Sequence, residues 1–298
     1  MTSKQQAVGA IDHLVVPVAS LEESRRRFTQ LGFTVAPDAR HPFGTENACV
    51  FFADDTYLEP LAIASREECE AAARGGNMFV ARDQAFRFRQ GPEGLSAIVV
   101  KTSDAEADHA RFAAAGFSGG PMLPFERAFK MADGSEVMGG FKLAFAADLR
   151  APDFFLFACE RVNPLPADRG ALSRHANGAL GLSSVVLVDE NPSDFQYLLE
   201  EVLQQRAVDA HSFGITLQTA NAAVEVLTPA GLAGYFGLET ADRGRGLTGR
   251  AIVVKVGDIG VTERLLAANG VVSSRRGARL IVPHEAGQGV PFVFEEVS

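Results

Sequence analysis

The feature that most constrains the fold of this chain is a repeat within its own sequence. Residues 97–104 (AIVVKTSD) recur as residues 251–258 (AIVVKVGD), at an offset of 154 residues. At the same offset and without a gap, residues 113–117 align with residues 267–271, so a β-branched strand, a helix and a glycine stop stay in register. Because such self-similarity marks duplicated structural units, we expect the chain to fold as copies of one motif.

A second, weaker repeat divides each half again. Residues 15–18 (VVPV) resemble residues 185–188 (VVLV), and residues 57–61 (YLEPL) resemble residues 223–227 (AVEVL). The four units follow one another in an A-B-A-B order. Each begins with a β-branched strand, continues into an amphipathic helix and ends in two or three short extended segments. The pattern therefore predicts the order β-α-β-β-β four times.

Helix ends and loop signals give the boundaries of these units. The S-x-x-E patterns that begin at Ser20 and Ser103 predict capping boxes at the first two unit helices, and Gly32 can adopt the left-handed stop of the first. Residues 64–93 interrupt the first half, as a helix over 66–73 followed by a loop. Pro164, Pro166 and Gly170 mark a linker. We predict two domains, 1–160 and 179–298, joined by a linker over 161–178.

Composition excludes several classes of protein. With 298 residues, 47% of them hydrophobic, and a net charge of −9, the chain is typical of soluble globular proteins and offers no cationic surface for nucleic acid or anionic membranes. No apolar run approaches the roughly 20 residues that span a bilayer. The three cysteines, Cys49, Cys69 and Cys159, lack CxxC spacing, which favours reduced thiols and a cytoplasmic protein. The expected partner is a small molecule.

Four segments carry a resemblance to a known family. Residues 11–18 (IDHLVVPV), 41–47 (HPFGTEN), 57–61 (YLEPL) and 175–178 (HANG) resemble the glyoxalase-like domain of the vicinal oxygen chelate superfamily, the group of glyoxalase I, extradiol dioxygenases and bleomycin-resistance proteins. The resemblance covers residues 11–298. It implies an α+β fold in which two βαβββ units pair edge to edge into an open barrel, so four units form two glyoxalase-like barrels in one chain. The free strand edges of such units pair either with each other within one molecule or across a homodimer.

The resemblance also implies one divalent metal, Fe, Mn, Ni or Zn, held by the first and last strands of two units. In the first unit the matching residues are His13 and Glu59, and imidazole and carboxylate are apt ligands for these ions. In the other units the matching positions hold no histidine, so the four-ligand set is incomplete. These positions are Ala97, Leu156 or Phe157, Ser183, Glu225, Ala251 and Glu295.

His13 and Glu59 are the candidate catalytic residues, and each has a structural alternative. His13 lies among alternating apolar residues, so it is either a hydrogen-bonded core histidine or a ligand or acid/base group in a pocket. Glu59, in an apolar strand, needs a metal, a cation or a proton to offset its desolvation. The alternatives for Glu59 are a salt bridge to an arginine, a metal ligand, and a general base beside His13.

Two further segments supply candidate substrate-binding residues. His41, Thr45 and Asn47 lie in a loop set by Pro42 and Gly44, where they either bind a substrate carbonyl or close the turn on their own backbone. His175 and Asn177, just before the third unit, either complete the first-half site or cap the strand that follows.

These residues support two hypotheses about function. The first is a glyoxalase-like enzyme, a lyase, isomerase or dioxygenase that acts on a substrate with neighbouring oxygens. The second is a binding or sequestering protein of the bleomycin-resistance type, which is suggested by the apolar residues at two expected ligand positions. One scaffold hosts both kinds of protein, so the fold does not decide between them.

Overall fold

The computed structural model of the chain describes residues 8–130, 136–163, 169–240 and 246–297. Pro164 and Pro166, on which the linker prediction partly depends, lie outside these residues. The first half contains strands β1 to β9, and their bounds are Ile11–Pro17, Ala39–Arg40, Thr45–Asn47, Val50–Phe51, Tyr57–Ile63, Ala97–Thr102, Leu123–Lys130, Glu136–Ala146 and Phe155–Arg161. The second half contains β10 to β17, and their bounds are Ala179–Val188, Val208–His211, Gly214–Gln218, Ala223–Leu227, Thr248–Val256, Ser274–Arg276, Arg279–Val282 and Phe292–Glu296.

Seven α-helices accompany these strands in the described residues. They are α1 to α7, over Leu21–Gln30, Arg66–Arg74, Met78–Gln90, Ala105–Ala114, Gln196–Leu203, Pro229–Phe236 and Ile259–Ala268. Each unit thus has the predicted order of strand, helix and further strands. No helix in the described part of the chain is long and apolar enough to cross a membrane.

The two halves have the same sheet topology. The strand order is β2-β3-β5-β1-β6-β9-β8-β7 in the first sheet, with β4 beside β5, and β11-β12-β13-β10-β14-β17-β16-β15 in the second. In each sheet the opening strands of two units pair antiparallel, β1 with β6 and β10 with β14, and each opening strand pairs parallel with the closing strand of its own unit. This edge-to-edge pairing confirms the α+β fold of two glyoxalase-like barrels in one chain.

The helix ends confirm one predicted cap and correct another. The Ser20 hydroxyl accepts from the Glu23 N–H at 3.4 Å, as the S-x-x-E pattern predicts. The prediction that Ser103 caps the helix of the second unit is wrong. Asp104 is the cap, and its carboxylate accepts from the Ala107 N–H at 2.9 Å.

The insertion also differs from its prediction, because α3 replaces the predicted loop after α2. Asn77 caps this helix at the Val80 N–H, and Phe79, Val80 and Phe86 form its buried stripe. The stripe packs on the sheet, which explains why a segment with a weak hydrophobic pattern becomes helical.

Alternation along the strands separates two kinds of core. On β1, Leu14 and Val16 join a core that extends into the second half, where Phe28 of α1 meets Phe292 of β17 edge to face, with ring centroids 5.6 Å apart. Val15 faces the opposite side, into a smaller core that α2 and α3 cover. His13 shares that side, since side chains two apart on a strand point the same way. The site lies there.

Candidate functional site

His13 is buried between two carboxylates. Its Nδ1 lies 2.8 Å from Oδ2 of Asp12, and its Nε2 lies 3.4 Å from Oε2 of Glu59. Its ring stacks on Tyr57 with centroids 4.3 Å apart and planes 16° from parallel. The parallel pairing of β1 with β5 produces this arrangement, because His13 is in register with Tyr57 and Val15 with Glu59.

The charges of these groups stabilise one another. Burial alone lowers the pKa of His13, but the hydrogen bonds and negative charges of Asp12 and Glu59 outweigh it and raise that pKa. Burial likewise opposes ionisation of Asp12, yet His13 and Arg161 lower its pKa, and Nη2 of Arg161 lies 2.7 Å from Oδ2 of Asp12. The two carboxylates beside His13 therefore favour its protonated form, and Asp12 and Arg161 form an ion pair behind the ring.

Glu59 is a carboxylate at the bottom of the same site. Burial raises its pKa, but His13, His41 and Asn47 together lower it to about 2. Nδ2 of Asn47 donates to Oε1 of Glu59 at 2.6 Å. The two Glu59 oxygens thus face different partners, Asn47 on one side and His13 on the other.

Residues 41–47 bring their polar side chains to this pair. Residues 41–44 form a turn, but the prediction of a loop is wrong for Thr45–Asn47, which form β3. Nδ1 of His41 lies 2.9 Å from Oγ1 of Thr45, and Nε2 of His41 lies 3.6 Å from Oε1 of Glu59. Burial lowers the pKa of His41 to about 4, so its ring is neutral at pH 7. Gly44, at φ +93°, makes the turn, and a Cβ there would lie 2.7 Å from the Cys69 nitrogen. The structure therefore unites five of the seven predicted residues: His13, His41, Thr45, Asn47 and Glu59.

The structure does not bring His175 and Asn177 into this cluster. Nδ1 of His175 accepts from the Thr34 N–H at 3.0 Å, and its Nε2 lies 2.9 Å from the Phe51 carbonyl oxygen. Nδ2 of Asn177 donates to the Leu31 carbonyl at 2.9 Å. Their polar atoms bind main chain where the two halves meet, and neither residue lines the cavity above His13 and Glu59.

A partly open cavity of about 40 Å³ lies above His13 and Glu59. Its residues come from both units of the first half and from the α3 helix. The lining consists of His13, His41, Phe43, Tyr57, Glu59, Phe79, Phe125, Arg127, Phe141, Leu143, Phe157 and Cys159. Sequence reasoning did not single out Arg127, Phe79 or Leu143. The sequence signal that could have identified Arg127 was the alternation of Leu123, Phe125 and Arg127, which puts the three side chains on one face of β7.

The residues present do not make the metal cage that the superfamily implies. His13, His41 and Glu59 have suitable chemistry, but the second unit offers Phe157 and Leu143 to the cavity, and the pKa of the Cys159 thiol is raised by its burial. Across the described ranges, no group of three or more His, Cys, Asp or Glu residues has the arrangement of a metal site.

Ser183, Ala251 and Glu295, three of the four matching positions of the second half, are engaged in structural contacts. The Ser183 hydroxyl donates to Glu295, and Nε of Arg279 lies 2.9 Å from the Glu295 carboxylate. The side of the second sheet that carries Ala251 packs against Leu232 and Phe236 of α6. The histidine and carboxylate pair thus occurs in the first half.

Comparison with known proteins identifies the family. The profile of the Glyoxalase-like domain family matches residues 11–203, about two thirds of the chain. The chain belongs to the glyoxalase-like domain family. Its fold is that of the vicinal oxygen chelate superfamily. No curated protein matches the chain.

Solved structures share the fold at low sequence identity. A hypothetical protein from Staphylococcus aureus has a TM-score of 0.66 at 12% identity and covers 96% of this chain and 99% of its own. A mutant of 4-hydroxymandelate synthase from Streptomyces coelicolor has a TM-score of 0.62 at 13% identity, with coverage of 98% and 93%. A Mn(II)-bound glyoxalase from Novosphingobium aromaticivorans has a TM-score of 0.55 at 10% identity, with coverage of 97% and 82%. At these identities the likeness extends to the fold alone.

Proposed function

We propose that this glyoxalase-like protein is a small-molecule enzyme that transfers a proton next to a carbonyl group, as an isomerase or lyase. The observation that supports this is the pair of His13 and Glu59, an imidazole ring and a carboxylate 3.4 Å apart at the bottom of a cavity. A bound substrate oxygen can replace Glu59 as the acceptor of the His13 Nε2–H.

Each residue has one role in this chemistry. His13 donates its Nε2–H to the carbonyl oxygen of the substrate, while Asp12 holds Nδ1 and thereby the orientation of the ring. Glu59 takes the proton from the adjacent carbon, which leaves an enediol, and returns it to the former carbonyl carbon, while His13 regains its proton from the other hydroxyl as the new carbonyl forms. Asn47, which donates to Glu59, orients the carboxylate.

The low pKa of Glu59 does not prevent it from acting as a base. His13 is the principal cause that lowers this pKa against burial. When the imidazolium shares its proton with the substrate, that positive charge weakens, and burial then raises the pKa of the carboxyl group. The basicity of Glu59 therefore rises at the moment when the substrate is bound.

A second candidate function is binding without turnover. It is supported by the aromatic lining of the cavity and by Phe157, which occupies a position where the superfamily has a ligand. In that case His13 and Glu59 only fix the orientation of the bound molecule.

Hydrogen–deuterium exchange tests the proposal. The protein is incubated in D₂O with 2-hydroxyacetophenone and with mandelate, and proton NMR follows the loss of the C–H signal beside the oxygen. We expect the wild type to exchange this proton faster than protein-free buffer does. Glu59→Gln should exchange it at least about 100-fold more slowly than the wild type, and Glu46→Gln, on β3, should exchange it at the wild-type rate. Equal exchange by the wild type and Glu59→Gln would refute the proposal, and binding without exchange would favour the second candidate.

A further inference from the structure

We infer that a second cavity, between the two halves of the chain, binds small monocarboxylic acids with an apolar body, and that Arg250 binds their carboxylate. The volume of this cavity is about 300 Å³, which is at the lower end of the range for small-molecule pockets. It shares no lining residue with the cavity above His13 and Glu59. The inference therefore goes beyond the proposed function and does not depend on it.

Both halves contribute walls to this second cavity. The α3 helix and the segment after it come from the first half, and α6, β14 and the segment before β17 come from the second. The halves approach closely at Gly249, where a Cβ would lie 2.6 Å from the Leu95 side chain. The apolar part of the lining consists of Phe86, Leu95, Leu232, Leu238, Val290 and Pro291.

An irregularity in β14 places Arg250 at this cavity. Val186 of β10 pairs with Ala251 and Leu187 pairs with Gly249, so Arg250 is an extra residue in the register of the two strands. Such a bulge bends the strand and redirects a side chain. The half-buried Arg250 lines the cavity at this point.

The guanidinium of Arg250 has donors to spare. Its Nε donates to the Thr248 hydroxyl at 3.2 Å, whereas Nη1 and Nη2 remain accessible and have no partner among the described residues. By contrast, Nη1 of Arg27 lies 2.9 Å from the Glu285 carboxylate. Burial lowers the pKa of both arginines; Glu285 opposes this for Arg27, and no described carboxylate does so for Arg250. Because a buried charge is costly unless it is paired, Arg250 favours an anionic ligand.

The carboxylates of the lining favour a ligand with one negative charge over a ligand with two. They are Glu93, Asp153 and Glu239. Glu93 accepts from two main-chain N–H groups, Asp153 accepts from Gln90 at 2.6 Å, and Glu239 is exposed. They leave Arg250 to the ligand, but their charges repel a dianion such as phosphate more strongly than a monoanion.

The arrangement gives the ligand one orientation. Since Thr248 engages Nε of Arg250, the two oxygens of a carboxylate can accept from Nη1 and Nη2 in parallel hydrogen bonds. The apolar body of the ligand then lies against the aliphatic and aromatic lining. An acid without that body, or a neutral amide with it, makes only part of these contacts.

Isothermal titration calorimetry tests this inference in mildly alkaline buffer, where inorganic phosphate is mainly a dianion. The ligands are cyclohexanecarboxylate, its neutral analogue cyclohexanecarboxamide, acetate and inorganic phosphate. We expect the wild type to bind cyclohexanecarboxylate at least about tenfold more tightly than the carboxamide, and acetate and phosphate more weakly than cyclohexanecarboxylate. Arg250→Gln should reduce the preference over the carboxamide to less than about twofold while leaving the carboxamide affinity unchanged.

Two variants serve as controls. Arg82 on α3 is also half-buried, and its guanidinium carbon lies 5.8 Å from the Phe155 ring centroid, but it does not line this cavity. Arg82→Gln should therefore keep the full preference. His13→Asn changes the other cavity and should keep it as well.

Several outcomes would overturn the inference. They are a wild type without the preference, an Arg250→Gln variant that retains it, a His13→Asn variant that loses it, and phosphate that binds more tightly than cyclohexanecarboxylate. If circular dichroism shows that Arg250→Gln does not fold, Arg250→Lys replaces it, because lysine keeps the charge but not the two parallel donors. A preference weakened at least about threefold in that variant supports the inference, and a smaller change overturns it.

Discussion

Replacement of Glu59 by glutamine tests the charge pairing on which the site depends. Glutamine has the shape of the protonated acid, so the substitution removes the charge with little change in packing. The pKa of Glu59 lies at about 2, against an ordinary value of 4.5. Since each pH unit of this difference corresponds to about 1.4 kcal/mol, the ionised form stabilises the folded state by about 3 kcal/mol.

The pH dependence of this loss has a definite sign. A carboxyl group whose pKa is lowered by folding stabilises the protein above its unfolded pKa, near 4.5, and loses that contribution as the pH falls through its folded pKa of about 2. The deficit of Glu59→Gln should therefore be about 3 kcal/mol at pH 7 and about 1.5 kcal/mol at pH 3. Urea unfolding followed by circular dichroism at both pH values measures it.

Two comparisons isolate the cause. Glu46→Gln, on the neighbouring strand β3, should change the free energy of unfolding little at either pH. In a His13→Asn background, Glu59→Gln should cost less than in the wild type, because His13 is the first of the groups that lower the pKa of Glu59. A deficit below about 1 kcal/mol at pH 7, or an equal deficit at pH 3 and pH 7, would refute the reasoning.

Four further results are expected. Asp12→Asn should lower the pKa of His13, seen in long-range nitrogen–proton NMR spectra, because Asp12 supplies a hydrogen bond and a negative charge; an unchanged pKa would show that Asp12 does not act on the ring. Gly32→Ala should destabilise the protein by about 1–3 kcal/mol and by more than Gly116→Ala, because a Cβ at Gly32 would lie 2.6 Å from Leu265 and one at Gly116 meets nothing within 4 Å; equal costs would contradict crowding between the halves. Cys49, whose pKa is raised to about 12 by burial, and the buried Cys159 should resist thiol reagents at pH 8 until the protein unfolds. Metal analysis of protein made without a histidine tag should find no stoichiometric metal that disappears in both His13→Ala and Glu59→Ala; such a metal would assign the pair to coordination.

The pairing of His13 with Glu59 was predictable because it depends on topology alone. In a β-α-β-β-β unit the first and last strands are parallel neighbours, so residues on them meet at one face once the repeat is recognised. The turn over residues 41–44 was also predictable, but the pairing of Thr45–Asn47 as β3 was not, and the inward position of the segment depends on Gly44, which sets the turn against α2.

Other parts of the site depend on long-range packing. Arg127 lies 114 residues after His13, on an edge strand that reaches the cavity only through the pairing of β7 with β8 and of β8 with β9. The α3 helix has a weak pattern of its own and is stabilised by the sheet that it covers. The pKa shifts likewise depend on packing. Burial raises the pKa of Glu59 and lowers that of His13, but the attraction between the two groups reverses both shifts.

The difference between the two halves follows from what covers the same face of each sheet. In the first half, the α2 and α3 helices cover that face and leave a cavity above His13 and Glu59. In the second half, α6 packs Leu232 and Phe236 against the sheet, and Arg279 both pairs with Glu295 and lies over the Phe236 ring at 4.8 Å. Arg279 and Glu295 of the second half thus compensate each other's charge, and Arg279 also contacts a ring. In the first half, His13 and Glu59 lie at the bottom of an open pocket. The same fold, copied once, therefore places a histidine and a carboxylate in a cavity in the first half and pairs its carboxylate with an arginine in the second.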